Sequence, residues 1–370
     1  MLMMELGDLQ TPCLVLDEGI LKQNLHRMSS AMHRHGVSLR PHLKTAKSAD
    51  VGRLAVDGEA GGITVSTVVE AAYFAQRGFR DITLAVGITP EKLHRASVLI
   101  SRDVLLNVTT DDVAIAHEIA KERDGIKAFI EIDSGERRAG VDPQGDALLE
   151  IGRALGDKLV GVLTHAGHSY NCRTVEEIKK VAEDERVAVT TAAHRLRAGG
   201  MSCEVVSVGS TPTMSHVENM KWVTEARPGV YMFQDLFQAA IGSCTRDDIA
   251  VTVLSSVIGC HPWKNEILID AGALALSKDR STATTNQDAG YGLVLDIDGR
   301  PSFGEAVIEK VSQEHGIVRG NALPFDKLKV GTKVRVAPNH SCLTSAAYDK
   351  YYVVWGGRQV INEWDRVNGW

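Results

Sequence analysis

The sequence predicts an α/β protein: a parallel (β/α)8 barrel followed by a mostly antiparallel β domain. Three observations carry this. About eight short β-rich runs alternate with amphipathic helical stretches through the first two-thirds of the chain, the pattern of repeated βαβ units. No GxGxxG loop follows an early strand, as an open doubly wound sheet would require. From Ile249 onward the helical spacing stops, and short strands alternate with turn signals such as Asp298-Gly299 and Gly356-Gly357.

In chain order, barrel strands are expected near Val37–Arg40, Gly62–Ser66, Ile82–Val86, Val104–Asn107, Ala128–Ile132, Val160–Thr164, Glu204–Val208 and Trp222–Ala226. Between them, Thr67–Gln76, Pro90–Ile100, Asp111–Lys121 and Val175–Ala198 repeat apolar residues at helical spacing. Strands of the second domain are expected at Ile249–Ile258, Glu266–Asp270, Gly292–Asp296, Lys333–Val336 and Tyr351–Val354. Gln10–Leu16, ahead of the first helix, is expected to join them as an added strand. The barrel is thus assigned to residues 17–245, and the β domain to residues 1–16 plus 246–370.

Composition excludes several functions. The 370 residues are 44% hydrophobic and 24% charged, the proportions of a globular protein. No apolar run approaches the roughly 18–20 residues of a membrane helix, and Met1 to Leu9 carries acids where a signal peptide would be basic and apolar. A cytoplasmic location without membrane contact is expected. The net charge of −6 argues against a nucleic-acid partner. Six scattered cysteines without a CxxC pair read as reduced thiols.

Arg40-Pro41-His42-Leu43-Lys44-Thr45 follows the first barrel strand, at the end where barrels place their chemistry. A lysine in a partly desolvated pocket there can form a Schiff base. Three further words extend this reading. Thr11-Pro12, Arg40-Pro41-His42-x-Lys44-Thr45-x-Lys47, Gly209-Ser210-Thr211-Pro212-Thr213 and Pro338-Asn339-His340-Ser341-Cys342 stand in order along the chain. Together they resemble the D-serine dehydratase and D-threonine aldolase group of fold-type III pyridoxal-phosphate enzymes. The resemblance runs from Thr11 to Trp370 and implies an alanine-racemase-like barrel with a following β domain. It makes Lys44 the Schiff-base lysine and implies a homodimer.

The remaining site residues follow from strand ends and from the resemblance. Ser207-Val208-Gly209-Ser210-Thr211 leaves a strand with a small residue and two hydroxyls, a composition suited to an anion nest. Barrel phosphate sites use the loops after strands seven and eight together. The resemblance likewise puts phosphate contacts at Gly209, Ser210, Thr211, Gly229 and Tyr231. It puts Arg138 opposite the pyridine nitrogen, with Arg137 adjacent. His165 and His168 have an HxxH spacing; cofactor stacking by His165 is preferred over metal binding. Tyr170 resembles an active-site tyrosine that holds substrate or handles a proton.

His340 and Cys342 lie two apart, and on an extended segment their side chains would share one face. Imidazole and thiolate suit zinc, which leaves positions for substrate and water; manganese and magnesium are poorer partners for a thiolate. The resemblance makes this pair the zinc site and points to a dehydratase, because the aldolases typically carry His-x-Asp there. Asp270, Asp279 and Gln287-Asp288 stand as polar loop residues, and Gln313-Glu314-His315-Gly316 resembles a family word near the active site. The reaction expected is loss of water from a D-3-hydroxy amino acid such as D-serine. Lys44 or a nearby group takes the Cα proton, the metal takes the departing hydroxide, and an α-keto acid and ammonia result. D-threonine aldolase chemistry is the alternative, followed by amino-acid racemization and non-enzymatic cofactor carriage.

Overall fold

The computed structural model describes residues 4–59, 61–101, 103–321 and 323–370. Residues 1–3, which the sequence reading assigns to the β domain, lie outside the described residues. The chain forms two compact units: Met1–Leu25 with Val230–Arg366, and His26–Gly229 with Val367–Trp370.

Chain order opens with β1 (Cys13–Asp17) and α1 (Glu18–Arg34). The alternation then runs β2 (Ser38–Leu39), α2 (Ala49–Ala55), β3 (Ile63–Val65), α3 (Val68–Gln76), β4 (Asp81–Gly87) and α4 (Pro90–Leu99). It continues through β5 (Leu105–Thr110), α5 (Val113–Ala120), β6 (Ile126–Glu131), α6 (Asp146–Leu155), β7 (Leu159–Leu163) and α7 (Val175–Ala198). It ends with β8 (Val205–Val208), α8 (Thr211–His216) and β9 (Glu225–Ala226). Side chains set several helix starts. Thr67 and Asp112 accept from the third backbone N–H that follows, and Thr174 forms a capping box with Glu177.

The eight strands β2 to β9 pair in parallel in the order β2-β9-β8-β7-β6-β5-β4-β3. The ring closes beyond β2, where Leu43 N–H donates to the Thr64 carbonyl at 2.8 Å and Thr64 N–H donates to the Pro41 carbonyl at 2.9 Å. All eight predicted barrel strands are present, with limits shifted by a few residues. Strands such as β6 are buried almost throughout, because the barrel interior covers one face and helices the other. Parallel strands facing the same way bring Lys44, His165, Gly209 and Arg227 to one end of the ring.

The other unit is a sheet of nine strands. Its new elements are α9 (Leu236–Ala240), β10 (Val251–His261), β11 (Glu266–Ile269), α10 (Ala273–Leu276), β12 (Leu293–Leu295), β13 (Val307–Val311), β14 (Gly316–Arg319), β15 (Lys333–Ala337), α11 (Ser341–Ser345), β16 (Lys350–Val354) and β17 (Asn362–Asp365). The order is β11-β14-β13-β12-β15-β10-β1-β16-β17, and a further β10–β11 pairing closes the first six into a ring. The eleven-residue β10 serves both neighbours, shifting register between Val257 and Gly259. As expected, β1 joins this sheet, antiparallel to β10 and parallel to β16. Thr11 donates to Asp270 Oδ2 at 2.5 Å, so both residues serve this unit's structure. Gln313-Glu314-His315 forms the exposed turn between β13 and β14. Leu6, Leu9, Cys13, Val15, Leu254 and Val354 form one apolar cluster here. All six cysteines are free thiols. No described helix is long and apolar enough to cross a membrane.

Candidate active site

Beneath the mouth of the barrel lies a layer of buried charge. Arg40 donates to Glu225 Oε2 at 2.5 Å and to both oxygens of Asp81 at 2.8 and 2.9 Å. Ser207 donates to the other Glu225 oxygen at 2.6 Å. Arg227, only 4% exposed, donates to the Thr164 carbonyl at 2.7 Å and to the Ser207 hydroxyl. These two arginines are struts, each compensated by acceptors from neighbouring strands.

Above this layer sits the predicted lysine. Lys44 is exposed, so the structure does not place it in the desolvated pocket that the sequence reading allowed. Lys47, three residues on, pairs with Glu70 at 3.2 Å, whereas Lys44 has no ion-pair partner among the described residues. Lys44 N–H donates to Nδ1 of His42 at 3.4 Å, so that nitrogen carries no proton. His42 is buried. Burial first, then the positive neighbours Lys44 and Arg227, push it well below the usual histidine range.

His165 leaves β7 and places Nδ1 3.0 Å from the Gly209 carbonyl. Burial and Lys44 lower it to about 3. Two neutral imidazoles therefore flank the lysine. Tyr170 follows in a 3-10 turn, its ring 6.4 Å from that of His165. His168 turns instead toward Gly135, so the HxxH pair diverges. Arg138 is half-exposed and pairs with Glu136 at 3.3 Å; burial raises nearby Glu131, and the Arg138 charge only partly opposes that.

The Gly209 loop needs glycine. Its φ is +130°, and an added Cβ would lie 2.8 Å from the Arg227 nitrogen. Its predicted donors are largely committed: Gly209 N–H to Glu185 at 2.9 Å, and Ser210 N–H to Thr213 at 3.1 Å. The Ser210 hydroxyl caps α8 and shares a hydrogen bond with Ser169 at 2.9 Å. Thr211 is buried in the first turn of α8. Gly229 approaches His42 so closely that a Cβ would meet its carbonyl at 2.9 Å. Its N–H makes no hydrogen bond among the described residues. Tyr231 is buried in the other unit. An accessible amine, two neutral imidazoles and glycine walls fit a flat aldehyde cofactor bearing a phosphate.

The His340-x-Cys342 word departs from the extended segment expected. His340 is the N-cap of α11, and Cys342 lies in its first turn. The cause is Asp235, whose Oδ2 accepts Ser341 N–H at 3.1 Å and so starts the helix. Asp279 stands 3.8 Å from Nδ1 of His340 and accepts Ser281 N–H at 3.0 Å, so it belongs to this cluster. Although burial opposes it, the Asp279 carboxylate and Cys342 sulfur raise His340 to about 11. An imidazole beside a thiol and a carboxylate is a donor set that would suit a soft divalent metal. Among the described residues no three or more His, Cys, Asp or Glu converge as a metal cage.

Two family models match the chain: "Alanine racemase, N-terminal domain" over residues 16–236 and "Putative serine dehydratase domain" over residues 250–354. The chain belongs to the alanine-racemase-like family. This alanine-racemase-like chain is 42% identical to the D-threo-3-hydroxyaspartate dehydratase of Delftia sp. (strain HT23), with 98% of each chain covered. It is 31% identical to the D-serine dehydratase of Dictyostelium discoideum, covering 99% of this chain and 98% of that one. The solved structure of the Delftia enzyme matches with a TM-score of 0.94 at 41% identity, over 99% of this chain and 100% of that one. Solved variants of that dehydratase replace a histidine, and a cysteine two positions beyond it, by alanine; the cysteine variant is described as metal-free. The alanine-racemase-like chain is a pyridoxal-phosphate-dependent lyase.

Glu185, Arg227 and His42 were not singled out from the sequence. His42 lies inside the lysine word and Arg227 inside Arg227-Pro228-Gly229, so both were within reach. Glu185 stands mid-helix among charged residues, and only its burial marks it.

Proposed function

We propose that this chain is a metal-dependent dehydratase of D-3-hydroxy amino acids, D-serine and D-threo-3-hydroxyaspartate first, releasing an α-keto acid and ammonia. The observation that carries the reading is the His340-x-Cys342 pair. It repeats the residue types and spacing altered in the two variants of the related dehydratase, one of them metal-free. Pyridoxal phosphate supplies an electron sink for Cα deprotonation, and zinc a Lewis acid for the departing hydroxide.

The chain's own residues divide the work. Lys44 would hold the cofactor, and its Nζ would be the group that takes the Cα proton. His42 and His165, kept neutral, add no positive charge beside that amine. Arg138 would face the ring from the β6 loop, Tyr170 would orient substrate, and Gly229 would offer its N–H to the phosphate, with Thr211 and Tyr231 as further proposed contacts; the Gly209 and Ser210 amides, already bonded to Glu185 and Thr213, would shape the loop rather than donate. His340 and Cys342 would hold the metal, with Asp279, 3.8 Å from Nδ1 of His340, beside the imidazole.

The test is product analysis on protein reconstituted with pyridoxal phosphate and zinc. Ammonia and a keto acid from D-serine or D-threo-3-hydroxyaspartate are expected, lost with chelator and restored by zinc. Glycine and an aldehyde without ammonia would overturn the dehydratase reading. Lys44→Ala should abolish the imine absorbance of the bound cofactor, and Lys47→Ala should keep it.

A further inference from the structure

Glu185 sits in the middle of α7 and is fully buried. A single oxygen, Oε1, accepts two backbone N–H groups: Ala166 at 3.1 Å and Gly209 at 2.9 Å. Ala166 follows His165 at the exit of β7, and Gly209 is the exit of β8. One side chain thus fastens the ends of two adjacent strands to the helix behind them. The same Gly209 turns its carbonyl to Nδ1 of His165 at 3.0 Å.

The chemistry of that contact sets a proton. A carbonyl only accepts, so the nitrogen facing it must donate. The neutral ring is therefore the Nδ1–H tautomer, and Nε2 keeps its lone pair. The Gly209 carbonyl shares its peptide plane with Ser210 N–H, which Thr213 Oγ1 holds at 3.1 Å, while Glu185 holds the preceding plane through Gly209 N–H at 2.9 Å; both planes flanking Gly209 are thus anchored at its φ of +130°. A buried carboxylate is a costly anchor, since burial raises Glu185 to about 6. A leucine at this helix position would avoid that cost, which argues against simple packing as its role.

We propose that Glu185 is a positioning residue of the active site. It clamps the Ala166 and Gly209 amides through Oε1, keeps the Gly209 carbonyl on His165, and so presents His165 Nε2 as a hydrogen-bond acceptor beside the cofactor lysine. It touches no reacting atom. The inference rests on the proposed function only for its cofactor measurement.

Two variants separate tether from charge. Glu185→Gln keeps a carbonyl at the same reach and removes the charge. Glu185→Asp keeps the charge on a side chain one methylene shorter, which cannot span both amides. In cofactor-free protein labelled with 15N-histidine, the His165 signal is assigned by its loss in His165→Gln. Wild type and Glu185→Gln should show protonated Nδ1 and bare Nε2, and Glu185→Asp should lose that signature. The dissociation constant for pyridoxal phosphate should stay within about twofold in Glu185→Gln and rise about tenfold in Glu185→Asp, as expected for a buried N–H left unpaired. A Glu185→Gln defect larger than that of Glu185→Asp, or an unchanged histidine signature in Glu185→Asp, would overturn the proposal. If wild type bound no cofactor, the proposed function would fail while the histidine signal still decided the role of Glu185.

Discussion

His165 owes its neutrality to its surroundings. Its folded value of about 3 lies below the ordinary 6.5, so the folded chain binds fewer protons than the unfolded one. Stability is therefore full above pH 6.5 and falls as the solution is acidified below it. At pH 5 this ring costs at most about 2 kcal/mol. Urea unfolding of cofactor-free protein at pH 7 and pH 5 measures the effect: His165→Gln should lose less stability than wild type over that interval, and equal losses would contradict the assignment. The residues proposed to carry chemistry were legible as words: Lys44 in its strand-end motif, His165 in an HxxH spacing, His340 and Cys342 two apart. Those that support them were not. Glu185 belongs to a helix dense in Glu, Asp, Lys and Arg, and sequence does not tell a buried carboxylate from its solvated neighbours.

Among the elements, the β8–α8 turn is the most constrained. Gly209→Ala would introduce a Cβ 2.8 Å from a backbone nitrogen at a φ of +130°. The expected cost is about 1–3 kcal/mol, with weaker cofactor binding because the adjoining amides must shift. Gly200→Ala makes the control: its φ is +79°, but nothing lies within 4 Å of the added Cβ. Chemical denaturation and a cofactor titration should show the binding loss in Gly209→Ala alone. Element limits were mostly legible where apolar periodicity was strong, as in α3, α4 and α7. The strands β13, β14 and β17 were missed. Val307–Val311 carries Glu and Lys, and Asn362–Asp365 is an exposed edge strand, so neither shows a buried face in its sequence. The start of α11 was read as extended because the carboxylate that nucleates it, Asp235, lies more than 100 residues earlier.

For the whole molecule, ring closure of the barrel depends on polar groups as well as apolar ones. Arg40, from the exit of β2, reaches Glu225 on β9 and Asp81 on β4. Arg40→Met would leave Glu225, 4% exposed, without its cation. Breaking one partner of such a buried pair costs about 3–5 kcal/mol. Urea unfolding at pH 7 should show that loss, and the double variant Arg40→Met with Glu225→Gln should recover part of it. No recovery would mean that the pair is not coupled as the distances imply.

Local pattern by itself determined the parallel barrel, the β domain after it, and the motifs that carry the lysine and the His-x-Cys pair. It could do so because strand and helix periods and short words are properties of neighbouring residues. Tertiary structure alone decided which charges are buried, which amides are already bonded, which histidine nitrogen carries the proton, and that His340 stands beside Asp279. Those outcomes depend on residues far apart in the chain meeting in a space from which water is excluded.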